Sequence, residues 1–216
     1  MILEVRAEAP FYKNGFVVGC ERTREGVIID PGDEVDGLLA AVRDHDLVIE
    51  HILLTHAHLD HITGVGTAKE TYDAPVYLHK DDLFLYDGLV QQGAMFGFKV
   101  QPAPPVDVFY DGSPIDFGDY EVRVHHTPGH CPGGVCLQVG TKGTQGNDLF
   151  VGDTLFAGSI GRSDLPGGNH DVLMQSITRV LFPLGDEAIV HPGHGPDTTI
   201  KRERTTNPFV LDYLAR

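Results

Sequence analysis

The sequence predicts one domain of the mixed α/β class over residues 1–216. Its 216 residues match the length of a single domain, and with 41% hydrophobic residues the chain can bury a sizeable core. Short runs rich in valine, isoleucine and leucine are bounded by turn residues, which is typical of strands. Between several of these runs, apolar residues recur at helical spacing. The two halves each carry strands followed by a helix, which suggests a weak internal duplication.

The first half of the chain has the clearer alternation of strands and helices. A helix is predicted where Val35, Leu38, Leu39 and Val42 fall on one helical face. A strand is predicted directly after it, in the sequence VIEHILLT. The predicted strands of this half are residues 16–20, 26–30, 48–55 and 74–79, and the predicted helices are residues 35–47 and 63–72.

The second half is predicted to be richer in strands. Residues 81–105 fit either a helix or an irregular loop, and we expect them to shape a substrate cleft. Strands are predicted within residues 106–117, 120–127, 134–140, 148–153 and 187–195, a helix over residues 171–184, and a short helix within residues 201–216.

Composition and charge narrow the function classes. The net charge of −15 repels phosphate backbones, so nucleic acid is not expected as a partner. The three cysteines form no CxxC pair, which argues against a disulfide framework. The N-terminus lacks a signal-peptide pattern, and no apolar run approaches the roughly 20 residues of a membrane span. These features predict a cytoplasmic protein without a membrane partner, and they leave its oligomeric state open.

Histidine and aspartate are concentrated where apolar runs end. The run ILL is followed by THAHLDH, and three later runs lead into TPGH, GD and HPGH. Strands hold their ends in fixed positions while the following loops stay accessible, and metal ligands need both properties. The candidate ligands in these loops are His56, His58, Asp60, His61, His130, Asp153 and His194.

This set of ligands predicts a metal centre. Imidazole and carboxylate suit zinc, iron or manganese, and their chemistry does not select among these metals. Seven groups exceed the needs of one tetrahedral ion but suit two divalent ions that share a carboxylate. The remaining histidines are predicted to be structural. Among those, His191 is the least certain because it lies beside a ligand loop.

The motifs THAHLDH, TPGHCPGG, VGDTLF and HPGHGPDT resemble those of the metallo-β-lactamase superfamily, and most closely its glyoxalase II-like branch. The resemblance covers nearly the whole chain. It implies a four-layer αββα sandwich with a binuclear site at one edge. By this resemblance His56, His58 and His130 bind the first metal, while Asp60, His61 and His194 bind the second. Asp153 bridges the two metals, Asp60 and Asp153 are the catalytic carboxylates, and zinc is the expected metal, with iron or manganese as alternatives.

Within this family the resemblance implies a hydrolase of small acyl thioesters such as S-D-lactoylglutathione, with a metal-bridging hydroxide as nucleophile. Full-length glyoxalase II enzymes carry a C-terminal helical domain that helps bind glutathione. This chain ends soon after His194, so we expect that domain to be absent, and specificity for glutathione is open. The acyl and thiol parts of the substrate are open as well.

Two other functions remain open. A persulfide dioxygenase of the same superfamily would hold a single iron with His56, His130 and Asp153. The separation of 23 residues between His130 and Asp153 fits the hydrolase branch better. A metal-binding module without catalysis is disfavoured because the ligand set is complete.

Arg162 is a candidate for substrate binding, because its guanidinium could bind a substrate carboxylate with two hydrogen bonds. The alternative is an ion pair between Arg162 and Asp164 that shapes the loop, and we favour this alternative.

Overall fold

The computed structural model describes residues 1–215. The chain forms two compact units. Unit 1 consists of residues 1–111 and 116–120, and unit 2 consists of residues 112–115 and the chain from Glu121 onward. The single domain over residues 1–216 stays a prediction.

Unit 1 is built on a mixed six-stranded sheet whose strands follow one another in chain order. Strands β1, β2 and β3 pair antiparallel, and β3, β4, β5 and β6 pair parallel. The strands are β1 (Ile2–Glu8), β2 (Lys13–Gly19), β3 (Glu25–Ile29), β4 (Val48–Leu53), β5 (Val76–Leu78) and β6 (Val108–Phe109).

Helices connect the parallel strands of unit 1, as parallel pairing requires. They are α1 (Val35–Asp44), α2 (Leu59–Ile62), α3 (Val65–Tyr72), α4 (Leu83–Asp87) and α5 (Leu89–Met95), and a 3-10 turn (Lys80–Asp82) precedes α4. Strands β2 and β3 are almost completely buried, and Val27, Ile28 and Ile52 are fully inaccessible to solvent. The carboxyl ends of β3, β4, β5 and β6 therefore share one edge of a rigid sheet.

The second sheet also has six strands, in the order β14-β13-β10-β9-β8-β7. Strand β10 pairs antiparallel with β9 and parallel with β13. The strands are β7 (Ile115–Phe117), β8 (Tyr120–His126), β9 (Val135–Thr141), β10 (Asp148–Gly152), β13 (Ile189–Pro192) and β14 (Thr198–Thr199), and a separate hairpin is formed by β11 (Leu155–Phe156) and β12 (Ser159–Ile160).

Three α-helices complete unit 2: α6 (His170–Gln175), α7 (Ile200–Thr206) and α8 (Pro208–Leu214). Leu173, Met174 and Ile177 pack with Leu149 and Val190 of the sheet in one buried apolar cluster. Burying such side chains supplies most of the free energy that holds a helix against a sheet. No helix within residues 1–215 combines the length and the apolar character that crossing a membrane would require.

Most predicted elements are confirmed within two or three residues, and the mixed α/β class is confirmed. Residues 81–105, for which helix and loop were both open, contain α4 and α5. The sequence interpretation missed β1, although Ile2, Leu3 and Val5 are strand-forming residues. The single helix predicted near the C-terminus was wrong. Pro208 cannot continue a helix, so the chain forms α7 and then starts α8 at that proline.

The helix predicted over residues 171–184 begins as α6 but continues as a π-helix (Ser176–Leu181) and a 3-10 turn (Phe182–Leu184). The hydroxyl of Thr178 donates a hydrogen bond of 2.7 Å to the carbonyl of Met174. In an α-helix that carbonyl accepts the N–H of residue 178, so the side chain competes with regular pairing at this point.

Candidate metal centre

The motif THAHLDH begins two residues beyond the end of β4 in unit 1. His56 and His58 lie in the loop, and Asp60 and His61 lie on the one-turn helix α2. The rings of His56 and His61 have centroids 4.0 Å apart, and those of His56 and His58 are 4.9 Å apart. Oδ2 of Asp60 is 3.9 Å from Nε2 of His61. The four candidate ligands of unit 1 are therefore neighbours.

Asp30, which directly follows β3, holds this loop by hydrogen bonds. Its Oδ1 accepts the backbone N–H of Thr55 at 2.6 Å, and its Oδ2 accepts the Thr55 hydroxyl at 2.5 Å. The same Oδ2 lies 2.9 Å from Nδ1 of His61. Asp30 is 1% exposed, so these bonds form away from water, where they are stronger. Both carboxylate oxygens are used in orienting the motif.

These contacts determine which ring nitrogens face outward for metal binding. A carboxylate only accepts hydrogen bonds, so Nδ1 of His61 carries the proton and Nε2 keeps the lone pair. Nδ1 of His56 lies 3.1 Å from the Thr55 hydroxyl, which already donates to Asp30. The Thr55 oxygen therefore accepts from Nδ1 of His56, so Nδ1 carries the proton and Nε2 of His56 keeps the lone pair. Carboxylates placed behind metal-binding histidines in this way raise the basicity of the ligand.

Gly32 lets the chain after Asp30 approach the motif closely. A Cβ atom at this position would lie 1.9 Å from the carbonyl oxygen of Asp60, which no side chain can tolerate. The Pro-Gly turn that follows Asp30 is therefore a steric requirement of the motif loop.

Unit 2 carries the other three candidate ligands. His130 lies in the loop between β8 and β9, Asp153 directly follows β10, and His194 follows β13. Because β10 and β13 are parallel, their carboxyl ends share an edge. Oδ2 of Asp153 lies 3.7 Å from Nε2 of His130 and also 3.7 Å from Nε2 of His194. One carboxylate oxygen thus faces two imidazoles.

The loop that carries His130 is fixed at both sides. Nδ1 of His130 lies 2.7 Å from the backbone carbonyl of Arg162, so this nitrogen donates and Nε2 keeps the lone pair. Gly129 has φ of 130°, and a Cβ there would lie 2.2 Å from the backbone nitrogen of Leu173. The glycine of TPGH is therefore required for the loop to pack against α6.

The guanidinium of Arg162 binds its near neighbour in the structure. Its Nε and Nη2 donate to the two oxygens of Asp164, both at 2.8 Å, so the ion pair that we favoured is present. This pairing lowers the pKa of the Asp164 carboxyl to about 2. Both side chains are exposed. The contact of Arg162 with His130 runs through its backbone carbonyl, and a substrate-binding role for its guanidinium stays a prediction.

His191, three residues before His194, is buried and bonded at both ring nitrogens. Nε2 lies 3.0 Å from Oδ1 of Asp148, and Nδ1 lies 3.1 Å from Oδ2 of Asp197. Its ring stacks on Phe150 with centroids 4.8 Å apart. Burial lowers the pKa of His191, but the hydrogen bonds and charges of Asp148 and Asp197 outweigh it, and the pKa lies above its ordinary value. These contacts agree with the structural role predicted for His191.

The donor set fits divalent metal ions. It consists of carboxylate oxygens and imidazole nitrogens, the ligands that zinc, iron and manganese take, and the tautomers of His56, His61 and His130 follow from their contacts. In unit 1, ligand atoms of Asp30, His56 and His61 lie within 4.8 Å of one another. Because Asp30 already binds Thr55 and His61, we interpret it as a residue that orients the ligands and not as a ligand itself. Sequence reasoning missed Asp30, although it ends a strand before a Pro-Gly turn, as other candidate ligands do.

The chain matches the family described as the metallo-beta-lactamase superfamily over residues 9–197. An uncharacterized protein of Aquifex aeolicus is 41% identical, with 99% of each chain covered. The probable metallo-hydrolase YqgX of Bacillus subtilis is 36% identical, covering 87% of this chain and 88% of the relative. The hydroxyacylglutathione hydrolase GloC of Haemophilus influenzae is 32% identical, covering 97% and 98%.

Solved structures are similar over the same length. The B3 metallo-beta-lactamase BLEG-1 is 36% identical, with 97% and 99% coverage and a TM-score of 0.87. TTHA1623, solved in a di-iron-bound form, is 42% identical, with 95% and 99% coverage and a TM-score of 0.83. ETHE1 from Myxococcus xanthus is 31% identical, covering 98% of this chain and 85% of that chain, with a TM-score of 0.77.

Proposed function

The chain belongs to the metallo-β-lactamase superfamily as a metallo-hydrolase, and on this premise we propose that it cleaves small acyl thioesters at a centre of two divalent metal ions. The family match and the similarity to BLEG-1 confirm the superfamily and the metallo-β-lactamase fold that the motifs predicted. Zinc is the proposed metal. Iron or manganese is the alternative, and the di-iron form of TTHA1623 is the reason to keep iron in view.

The observation that carries this proposal is the position of Asp153. A carboxylate that bridges two metals must present oxygen between two sets of ligands, and Oδ2 of Asp153 is 3.7 Å from Nε2 of both His130 and His194. In the proposed centre His130 joins His56 and His58 as ligands of one ion. His194 joins Asp60 and His61 as ligands of the other ion, and Asp153 is shared by both.

Two ions bound there would polarise the thioester carbonyl and lower the pKa of a bound water. The residues of the chain hold the histidine ligands in the required tautomer and accept a proton. Asp30 keeps the proton on Nδ1 of His61, and the Arg162 carbonyl keeps it on Nδ1 of His130. In our proposal the carboxylate of Asp60 also accepts the proton that the attacking water releases. The products are a carboxylic acid and a thiol.

The similarity to GloC supports a thioester substrate of the hydroxyacylglutathione type. The similarity to ETHE1 keeps a second candidate, a persulfide dioxygenase that holds one iron with His56, His130 and Asp153. The imidazole of His194 faces Asp153, which supports the binuclear centre, but residues of the second site can persist in a dioxygenase without binding metal, so the metal content has to separate the two proposals. A module that binds metal without catalysis is the least favoured alternative.

The first experiment is the metal content per chain, measured by elemental analysis of protein purified without added metal. We expect about two ions per chain together with hydrolysis of S-D-lactoylglutathione. About one iron per chain, with oxygen uptake on glutathione persulfide, would replace the hydrolase by the dioxygenase. Metal without either activity would favour the binding module.

Variants at the two carboxylates sharpen this test. Asp60→Ala should abolish thioester cleavage and lower the metal content, and Asp153→Ala should do the same. The control is Asp44→Ala, which removes an exposed carboxylate at the end of α1. Full activity of Asp60→Ala would exclude the binuclear mechanism. In the dioxygenase, Asp60→Ala would be tolerated far better than Asp153→Ala.

A further inference from the structure

The loop that carries His56 and His58 is held by side chains from the segment that follows β5. Strand β4 ends at Leu53, the loop pairs with no strand among residues 1–215, and α2 spans only four residues. A helix of one turn is not stable by itself. The polar backbone groups of the loop therefore need partners from elsewhere. Asp30 binds the N–H of Thr55, and two further side chains of unit 1 bind the peptide groups between His56 and Leu59.

Gln92 of α5 uses its whole side-chain amide for this purpose. Its Oε1 accepts the backbone N–H of Leu59 at 3.0 Å. Its Nε2 donates to the carbonyl of Ala57 at 3.0 Å and to the carbonyl of Leu85 at 2.8 Å. One acceptor and both N–H donors are occupied, so the amide orientation is determined by its partners.

The two bonds to the loop lie on either side of His58. The carbonyl of Ala57 belongs to the peptide group that precedes His58, and the N–H of Leu59 belongs to the peptide group that follows it. A single planar amide that binds both groups restrains their relative orientation, and thus φ and ψ of His58, which are −74° and 153°. The orientation of this backbone sets the direction of the Cα–Cβ bond of His58, from which its imidazole extends, and restricts the side-chain rotamers.

Asp82 extends the same support by one peptide group. Its Oδ2 accepts the backbone N–H of Ala57 at 3.1 Å, and the residue is completely buried. Asp82 and Gln92 together bind three consecutive peptide groups, from His56 to Leu59.

We propose that Gln92 is a positioning residue of the metal centre, which sets the backbone of His58 and thereby the direction of its imidazole. The inference rests on the proposed function in one respect, namely that His58 is a metal ligand. Gln92 contacts neither metal nor substrate in this proposal. Its effect reaches the centre through His58, so loss of the amide weakens metal binding without removing a ligand.

The test compares Gln92→Met and Gln92→Glu with wild type. Methionine keeps the length of the side chain but makes none of the three hydrogen bonds. Glutamate can still accept from Leu59 but cannot donate to Ala57 or Leu85. Zn²⁺ affinity is measured by competition with a chelator, and the visible spectrum of the Co²⁺-loaded protein reports the coordination geometry. We expect about tenfold weaker Zn²⁺ binding in both variants and altered Co²⁺ bands at saturation.

Two controls separate positioning from general destabilisation. Gln91→Met changes an exposed glutamine one residue earlier on the same helix and should leave metal affinity unchanged. Leu47→Ala creates a cavity at a buried side chain that packs near Gly19 in the same unit. It should lower the unfolding midpoint but leave the Co²⁺ spectrum as in wild type.

The outcomes are distinct. If wild type binds metal and both Gln92 variants bind it with the same affinity and spectrum, the inference is wrong while the proposed function stands. If wild type binds no metal, the proposed function fails instead. Should neither variant fold, hydrogen exchange in wild type decides. Strong protection of the Leu59 amide supports the contact, and exchange at the rate of an unstructured amide refutes it.

Discussion

The buried carboxylate of Asp30 and the imidazole of His61 form a hydrogen bond of 2.9 Å between Oδ2 and Nδ1. Asp30 directly follows β3, and His61 lies on α2, which follows the neighbouring parallel strand β4. The bond assigns the proton of His61 to Nδ1, and it presents Nε2 for coordination.

Asp30→Asn tests this relationship. Asparagine tolerates the positive φ of 49° at this position, so the backbone should persist. Its neutral amide offers one oxygen where Asp30 serves the Thr55 N–H, the Thr55 hydroxyl and His61. We expect metal affinity to fall by about 10- to 100-fold, measured by chelator competition. Asp36→Asn, at an exposed position in α1, is the control. Unchanged affinity in Asp30→Asn would show that His61 does not depend on this carboxylate.

The ion pair between Arg162 and Asp164 predicts a change in substrate affinity. Asp164 binds the Nε–Nη2 edge of the guanidinium with both carboxylate oxygens, so Asp164→Asn should release that edge for an anionic substrate. If Arg162 binds substrate, KM for a carboxylate-bearing thioester should fall several-fold in Asp164→Asn and rise several-fold in Arg162→Gln. KM for a neutral thioester is the control and should not change. Equal KM values in wild type, Asp164→Asn and Arg162→Gln would mean that the guanidinium does not bind substrate and that Arg162 contributes only through its backbone carbonyl, which binds His130.

His191 predicts a pH dependence of stability in metal-free protein. Its raised pKa in the folded state means that folding favours the protonated ring between Asp148 and Asp197. This stabilisation is complete below the unfolded pKa of about 6.5 and is lost as pH rises through the folded value. Each unit of elevation corresponds to about 1.4 kcal/mol.

The measurement is the free energy of unfolding between about pH 5 and pH 9 for wild type and His191→Gln. The stability advantage of wild type should shrink as pH rises across this range. An advantage that is constant with pH would mean that the pKa of His191 is the same in the folded and unfolded protein, and an advantage that grows with pH would mean that the folded protein holds the ring neutral. Asp148→Asn, which removes one of the two carboxylates, should reduce the pH-dependent part.

Lys13 and Glu34 form a completely buried ion pair at 2.6 Å, and each side chain is 1% exposed. The ammonium group also donates to the carbonyl of Asp30, and Glu34 accepts the N–H of Gly32 at 2.9 Å. Lys13→Met leaves the Glu34 charge buried without its counter-ion, which should cost about 3–5 kcal/mol.

The double variant Lys13→Met/Glu34→Gln should recover most of this loss, because glutamine can still accept from Gly32. Denaturant unfolding measures both variants. If the double variant is destabilised by the sum of the effects of Lys13→Met and Glu34→Gln, the two side chains contribute independently and the ion pair has no coupling energy.

The ligand loops could be predicted from the sequence because their determinants are local. An apolar run followed by His, Asp, Gly and Pro defines both the end of a buried strand and the residues available there. His56 and Asp153 were therefore named as candidate ligands without a structure. Asp30 satisfies the same pattern and could have been included.

The contacts that support these ligands were decided only by the tertiary structure. Gln92 and Leu59 are 33 residues apart, and Lys13 and Glu34 are 21 residues apart. Nothing in the sequence around Gln92 distinguishes it from the exposed Gln91 beside it. Local sequence determines which residues can bind a metal, because side-chain chemistry and strand ends are local properties. Which groups satisfy the buried backbone and orient the ligands depends on which strands become neighbours, and this is settled only when the sheet forms.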